Sequence, residues 1–261
     1  MLTIIASMER ELAGFRRKSR AYQTAGIPPR FELKVVGIGG AQAGQSVASL
    51  AGRRLFAGAL SEAEQGILLL GFSGGVDPSL APGVLTISTS YNQFASGNSL
   101  HPDPGMWRQA VHAATGAGLL FDQGDSLTVD RPIATVLDKE AVFRRYRVGT
   151  VNMEDYAIAV AARDAGVPFL AVRAVLDPAD QTLPPYVLAM SRSQVKAVLG
   201  TAFSPWRIAP MLRLARQMRL AQNSLTGFAL AYLQRSQEEV QKESSGALQS
   251  QAALGRQAGN G

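Results

Sequence analysis

Glu154 and Asp177 stand near the two ends of the stretch VNMEDYAIAVAARDAGVPFLAVRAVLDPAD, residues 151–180, and are the side chains best placed to do chemistry. A short apolar strand end at 148–151 delivers Met153 and Glu154 to the start of a helix. In that helix Ile158, Val160, Ala161 and Ala165 recur at roughly helical spacing. Gly166 stops it, Pro168 opens the next segment, and 169–176 is a nearly unbroken apolar run suited to a strand buried on both faces. In a parallel α/β sheet, ligands bind outside the carboxyl ends of the strands, so both carboxylates are expected on the rim of a small-molecule site. Carboxylates in such a place hold polar groups or move protons. The pair alone does not name a reaction.

Composition removes several competing chemistries. The chain has no cysteine, which excludes thiol nucleophiles, disulfides and thiolate metal sites, and its only imidazoles are His101 and His112. GFSGG, residues 71–75, matches the G-x-S-x-G nucleophile elbow, but an elbow serine needs a later acid and then a histidine, and both histidines precede residue 113. The segment is better read as a strand entering a glycine loop where the backbone approaches a ligand closely. The turn Gly37-Ile38-Gly39-Gly40 lacks the third glycine of a dinucleotide fingerprint and has Gln42 nearby, so a plain strand-to-helix turn competes with a phosphate cradle. Glu9 and Glu11 fall in the first turn of a helix, where the dipole favours carboxylates; Glu11 could equally be aimed at a pocket above the first strand.

These residues need a scaffold, and 261 residues with 46% hydrophobic content suffice for one large α/β domain. Strands are expected at 2–6, in FELKVV, from residue 66, in VLTISTS and at 124–129, with helices at 41–59, 106–117, 138–146 and 191–203. A long amphipathic helix is expected at 205–234, carrying Arg213, Arg216 and Arg219 on one sector and Met211, Ala215, Met218, Leu225 and Ala229 roughly opposite. The domain is drawn as 1–235 and a disordered tail as 236–261, where Gln, Ser, Gly and Ala dominate. The net charge of +6 is carboxy-terminal: residues 1–190 carry 17 basic and 17 acidic side chains, residues 191–261 carry 9 and 3. With a neutral body and no aromatic-basic interleaving, nucleic acid is not an expected partner. The basic helix is either a solvated face or a peripheral contact to a membrane. No targeting pattern opens the chain, and a cytoplasmic location is expected.

Five segments in order, IIASMEREL, GIGGAQAGQSVAS, GFSGGVDPSLAPGVLTIS, VNMEDYAIAVAARDAGVPF and VRAVLDPAD, resemble the nucleoside phosphorylase and nucleosidase superfamily. The likeness is to methylthioadenosine/S-adenosylhomocysteine nucleosidases in particular. DPADQTLPPYVLAM and IAPMLRLARQ are similar to a narrower branch, the hopanoid-associated phosphorylases thought to remove adenine from adenosylhopane. The resemblance implies a three-layer α/β/α fold with a central twisted mixed sheet, a homodimer, no metal and no cofactor. The implied activity is cleavage of the N-glycosidic bond of an adenine-bearing nucleoside, small and sulfur-linked or lipid-tailed. In that reading Asp177 is the general acid toward purine N7, Glu11 orients the attacking water, and Glu154 holds the ribose hydroxyls with Met153 packed on the sugar. Met8, Phe72, Ser73, Gly74 and Asn152 complete the substrate pocket. The chain departs from the family pattern at Phe72, where a serine is usual, at Asn152, where an acid is usual, and at Leu176, which replaces a serine. Phosphate is open as a co-substrate, but the GFSGG segment has no arginine to hold it, which favours water. A superfamily member that binds a nucleoside without turning it over is the alternative.

Overall fold

The computed structural model describes residues 2–23, 31–56, 66–94, 96–184 and 205–258. The helix expected at 191–203 lies outside them.

Two strands form the spine: β3, Ile67–Gly75, and β10, Phe169–Asp177, paired in parallel along almost their whole length. Side chains alternate along a strand, so each of these apolar runs feeds two cores. Leu68, Leu70, Leu170, Val172 and Ala174 face a layer made by helices α1, Glu9–Gln23, α3, Pro104–Gly116, and the carboxy-terminal helix. Ile67, Leu69, Phe169 and Ala171 face α2, Gly40–Phe56, and α5, Asp155–Asp164. The result is the expected three-layer α/β/α sandwich. Gly40 and Gly44 let α2 approach α5: an added Cβ would lie 3.1 Å from the Ala157 Cβ at Gly40 and 3.3 Å from the Ala157 carbonyl at Gly44.

The sheet is mixed. On one side of β10 lies β4, Leu85–Ile87, antiparallel, followed by β7, Phe121–Asp122. On the far side of β3 the sheet divides. The first half of β3 pairs in parallel with β1, Leu2–Ala6, through Ile67–Leu69, and β1 carries β2, Phe31–Val35, on its outer edge. The second half pairs antiparallel with β9, Thr150–Asn152, at Gly74 and Gly75, and β8, Ser126–Thr128, β5, Tyr91–Gln93, and β6, Ser99–Leu100, continue from there. Helix α4, Val136–Tyr146, packs Val142 against this second lobe. Between the lobes, Leu70 to Ser73 of β3 meets neither β1 nor β9.

Two expectations change. GFSGG is strand through Gly75 rather than a loop, because β10 and β9 both hydrogen-bond its backbone. With no sharp strand-to-helix turn at Ser73 there is no nucleophile elbow, and His101 and His112 are exposed elsewhere. The carboxy-terminal helix, α6, spans Pro205–Ala258, so it continues through the stretch expected as a disordered tail; Gln, Glu, Lys and Ala there are good helix formers. Its buried stripe is Gln217, Ala221, Leu225, Phe228, Ala229 and Tyr232, later than expected, while Met211 and Leu212 are exposed. No helix among the described residues is long and apolar enough to cross a membrane.

Candidate active site

The candidate site fills the gap where β3 loses its neighbour. In that gap the Phe72 N–H and C=O are left without strand partners, and buried backbone groups must be satisfied somehow. Two charged side chains do it. Glu11 accepts from Phe72 N at 2.8 Å through Oε1, and Arg173 Nη1 donates to Phe72 O at 3.1 Å.

Each partner is fixed by its own element. Glu11 is the third residue of α1 and also reaches back to accept from Met8 N at 2.8 Å through Oε2, one half of a capping box. Both meanings of an acid in this first turn therefore hold together: it caps the helix and points at the sheet. Glu9, on the same turn, is exposed and pairs with Arg16 at 2.8 Å.

Arg173 is the register partner of Gly71 on β10, and its buried side chain crosses the sheet face over that glycine. A Cβ at Gly71 would sit 2.3 Å from Arg173 Nη1 and 3.0 Å from Glu11 Oε1. The glycine thus makes room for the protein's own charges. Gly71→Ala is expected to push the guanidinium off its partners and to lower stability by roughly 1–3 kcal/mol, as overpacking does. Thermal unfolding checks this; a variant melting with the wild type would mean that Arg173 has another path.

Beyond Gly71, Arg173 Nη2 donates to Glu154 Oε2 at 3.1 Å, and Nε to Asp155 Oδ1 at 2.9 Å, with Nη2 also on Asp155 Oδ1. Glu154 Oε1 accepts from Gly39 N at 3.1 Å. This is what the GIGG turn does: Gly37 and Gly39 have φ of 91° and 96°, which turns the Gly39 N–H toward Glu154 just before α2 begins. Asn152 organises the start of α5, its Oδ1 accepting from Thr128 Oγ1, Glu154 N and Asp155 N while its Nδ2 donates to Asp155 Oδ2. An acid at 152 could not make that donation, so Asn152 belongs with the buried Asp155.

Three buried carboxylates, Glu11, Glu154 and Asp155, therefore surround one guanidinium. Burial pushes the Glu11 carboxyl up to about 7, Arg173 and two backbone N–H groups pulling the other way and Glu154 adding to the rise. Asp155 is raised for the same first reason. The three acids hold the Arg173 guanidinium above its ordinary range against the desolvation that opposes it.

Asp177, the last residue of β10, lies opposite Gly74, two residues beyond Phe72 on β3 and about 7 Å along it at ordinary strand rise. The ladder shifts register between Val175 and Asp177, so Leu176 is an extra residue and Asp177 pairs with Gly74. Such a bulge re-aims a side chain. The carboxylate lies over Gly74, whose added Cβ would be 3.5 Å from Oδ2. Lys139 of α4, fully buried, donates to Asp177 Oδ2 at 2.5 Å. Burial still dominates and raises the Asp177 carboxyl to about 6, with Lys139 as the opposing influence.

The remaining expected residues divide. Met8 and Met153 are half-buried beside Glu11 and Glu154 in sequence. Ser73 has a buried hydroxyl with no hydrogen-bond partner among the described residues. Phe72 contributes its backbone to the charged gap and packs its ring into the core with α1, α3 and α6. Sequence pattern passes over Arg173, Asp155 and Lys139. The signals were an arginine inside an apolar strand and a lysine three residues before Val142 on the inward face of α4, since buried charge demands a partner.

This sheet and its helices are shared with solved enzyme structures. A 5′-methylthioadenosine/S-adenosylhomocysteine nucleosidase from Neisseria meningitidis, in complex with methylthio-immucillin-A, superposes with a TM-score of 0.63 at 19% identity, covering 90% of this chain and 98% of that one. A futalosine hydrolase from Helicobacter pylori gives 0.60 at 16% identity over 87% and 97%. The nucleosidase of Campylobacter jejuni gives 0.61 at 15% identity over the same 87% and 97%. No curated protein matches the chain in sequence. The sequence profile of the phosphorylase superfamily matches residues 4–202, and the chain belongs to that superfamily.

Proposed function

We propose that the chain cleaves the N-glycosidic bond of an adenine-bearing purine nucleoside. The observation that carries this is the pairing of two separately held acid centres along β3: Glu11 on Phe72 N with Glu154 on Arg173, and Asp177 on Lys139. Breaking such a bond needs a proton for the departing base, stabilisation of an oxocarbenium-like sugar and a nucleophile on the opposite face. In this reading Asp177 passes its proton to purine N7 and the C1′–N9 electron pair leaves with the base. Water adds to C1′ and gives its proton to Glu11. Glu154 accepts from the ribose hydroxyls; each of its oxygens accepts one protein hydrogen bond and keeps a further lone pair for a ligand. Met153 and Met8 pack on the sugar, and Ser73 and Gly74 lie beside the base. The chemistry asks for no cofactor. No arginine lies in GFSGG to hold phosphate, which supports water as acceptor.

The 5′ substituent is a thioether or a lipid tail. Exposed Met211, Leu212 and Leu220 interleave with exposed Arg213, Arg216 and Arg219 on α6, which suits a lipid-tailed nucleoside such as adenosylhopane met at an anionic surface. Adenine release from methylthioadenosine, S-adenosylhomocysteine and an adenosylated lipid, each with and without phosphate, tests the reading. Faster release from the lipid, phosphate-independent and yielding the free sugar, is expected. A requirement for phosphate would overturn the choice of water.

The protonation states give a second expectation. Activity needs Glu11 ionised and Asp177 protonated, and with the Asp177 value of about 6 below the Glu11 value of about 7, kcat/KM should rise with pH near 6 and fall near 7. Because the acid's value lies below the base's, the productive form is a minority species. The profile is a bell centred midway between the two values, and its limbs belong to the pair. Activity climbing steadily to pH 9 would contradict it.

A further inference from the structure

Lys139 makes three hydrogen bonds, and all three go to the segment that carries the acid. Its Nζ donates to Asp177 Oδ2 at 2.5 Å, to Pro178 O at 2.7 Å and to Gln181 O at 3.0 Å. An ammonium has three donors, so none is left over. The same segment is tied to the start of α4 twice more, by Leu183 N on Ala134 O at 2.8 Å and Val136 N on Thr182 Oγ1 at 3.4 Å. From the other layer, α6 holds it through a reciprocal amide pair, Gln217 Nε2 on Gln181 Oε1 at 2.5 Å and Gln181 Nε2 on Gln217 Oε1 at 3.3 Å, both side chains buried. The groups facing Asp177 are thus Lys139 from α4 and uncharged Gly74 from β3.

We propose that Lys139 is a positioning residue for Asp177, which rests on the reading of Asp177 as the general acid. By occupying Oδ2 it fixes the carboxyl rotamer and leaves Oδ1 to carry the proton. When that proton passes to the leaving base, the carboxylate formed is already paired with the ammonium. A buried acid without this partner would hold its proton too tightly to give it up. Lys139 therefore sets the strength of the acid, while the Gln181–Gln217 pair sets where it stands.

The test compares the pH dependence of kcat and KM for Lys139→Met, Lys139→Gln and Lys139→Arg with wild type, on whichever nucleoside the wild type turns over. An opposite charge in hydrogen-bond contact lowers a carboxyl by about 1–3 units. That rise brings Asp177 to or above the Glu11 value, so the descending limb should extend to higher pH in the Met and Gln variants and stay in place with Arg. After correction for the fraction in the productive protonation state, kcat should fall about tenfold with KM nearly unchanged, as a weaker acid transfers its proton more slowly. Unmoved limbs in the Met and Gln variants would overturn the assignment. Should these variants fail to fold, the wild type decides: in protein labelled with ¹⁵N-lysine, the resonance of the buried amine should follow the protonation of Asp177 near its value of about 6, and a flat signal would overturn the proposal. Asp177→Asn separates this from the parent reading. An inactive Asn variant with unmoved limbs in the Lys139 variants refutes only the role of Lys139, whereas an active Asn variant refutes the acid itself.

Discussion

Asp177→Asn should lower turnover by roughly 10²–10⁴, the range a positioned general acid supplies, while nucleoside affinity stays near that of the wild type. The amide is nearly isosteric, and its oxygen can still accept from Lys139, so the segment 177–183 keeps its ties to α4 and α6. What disappears is the transferable proton. Because binding and chemistry are affected separately, the loss should fall on kcat and leave the dissociation constant measured by calorimetry nearly untouched. A variant with wild-type kcat would place the acid elsewhere, and one that loses binding as well would make Asp177 a ligand contact.

Arg173→Met should be the most destabilising single change. It leaves Glu11, Glu154 and Asp155 buried around an apolar side chain and strips Phe72 O of its donor. Breaking a buried ion pair in this way costs about 3–5 kcal/mol. For a chain of this size each kcal/mol corresponds to about 2–4 °C, so Tm should drop on the order of 10 °C. The pH dependence identifies the cause. Glu11 and Asp155 have folded-state values raised above those of the unfolded chain, so folding favours their protonated forms; that contribution is complete at acid pH and is lost as pH rises through the folded value, about 7 for Glu11. Without Arg173 to pull them down, both acids rise further. The deficit of the variant should therefore be largest above pH 7 and shrink as the carboxylates take up protons. A deficit independent of pH would indicate lost packing instead of lost charge pairing.

Much of the scaffold was legible because its periodicities are strong. The apolar run from residue 169 had to be a strand buried on both faces, and β10 is one; the Gly166 stop and the helix beginning after Glu154 appear as α5 ends and starts. The site was half legible. Carboxylates at strand ends stand out, and Glu11, Glu154 and Asp177 are all buried at the carboxyl ends of their strands or just beyond. Their countercharges did not stand out, since Arg173 lies within an apolar run and Lys139 looks like one more cation on a charged helix. The bulge at Leu176 is invisible in sequence, because it depends on how β10 registers with β3 and not on any residue type that demands it. GFSGG misled in an informative way: glycines at a loop and glycines clearing a path for an arginine look alike until Arg173 is placed over Gly71. Past residue 236 the helix continues despite the polar composition, because Gln, Glu, Lys and Ala there carry good helix propensity.

The central claim is that this arrangement releases a purine base, and one measurement addresses it directly. The intact chain, incubated with purine nucleosides carrying thioether and lipid 5′ groups at a pH midway between the Glu11 and Asp177 values of about 7 and about 6, should liberate free adenine detectable by chromatography. Asp177→Asn assayed alongside should liberate almost none. If the folded wild type binds these nucleosides and frees no base from any of them, with or without phosphate, the chain is a binding protein built on an enzyme's fold, and the catalytic account is wrong.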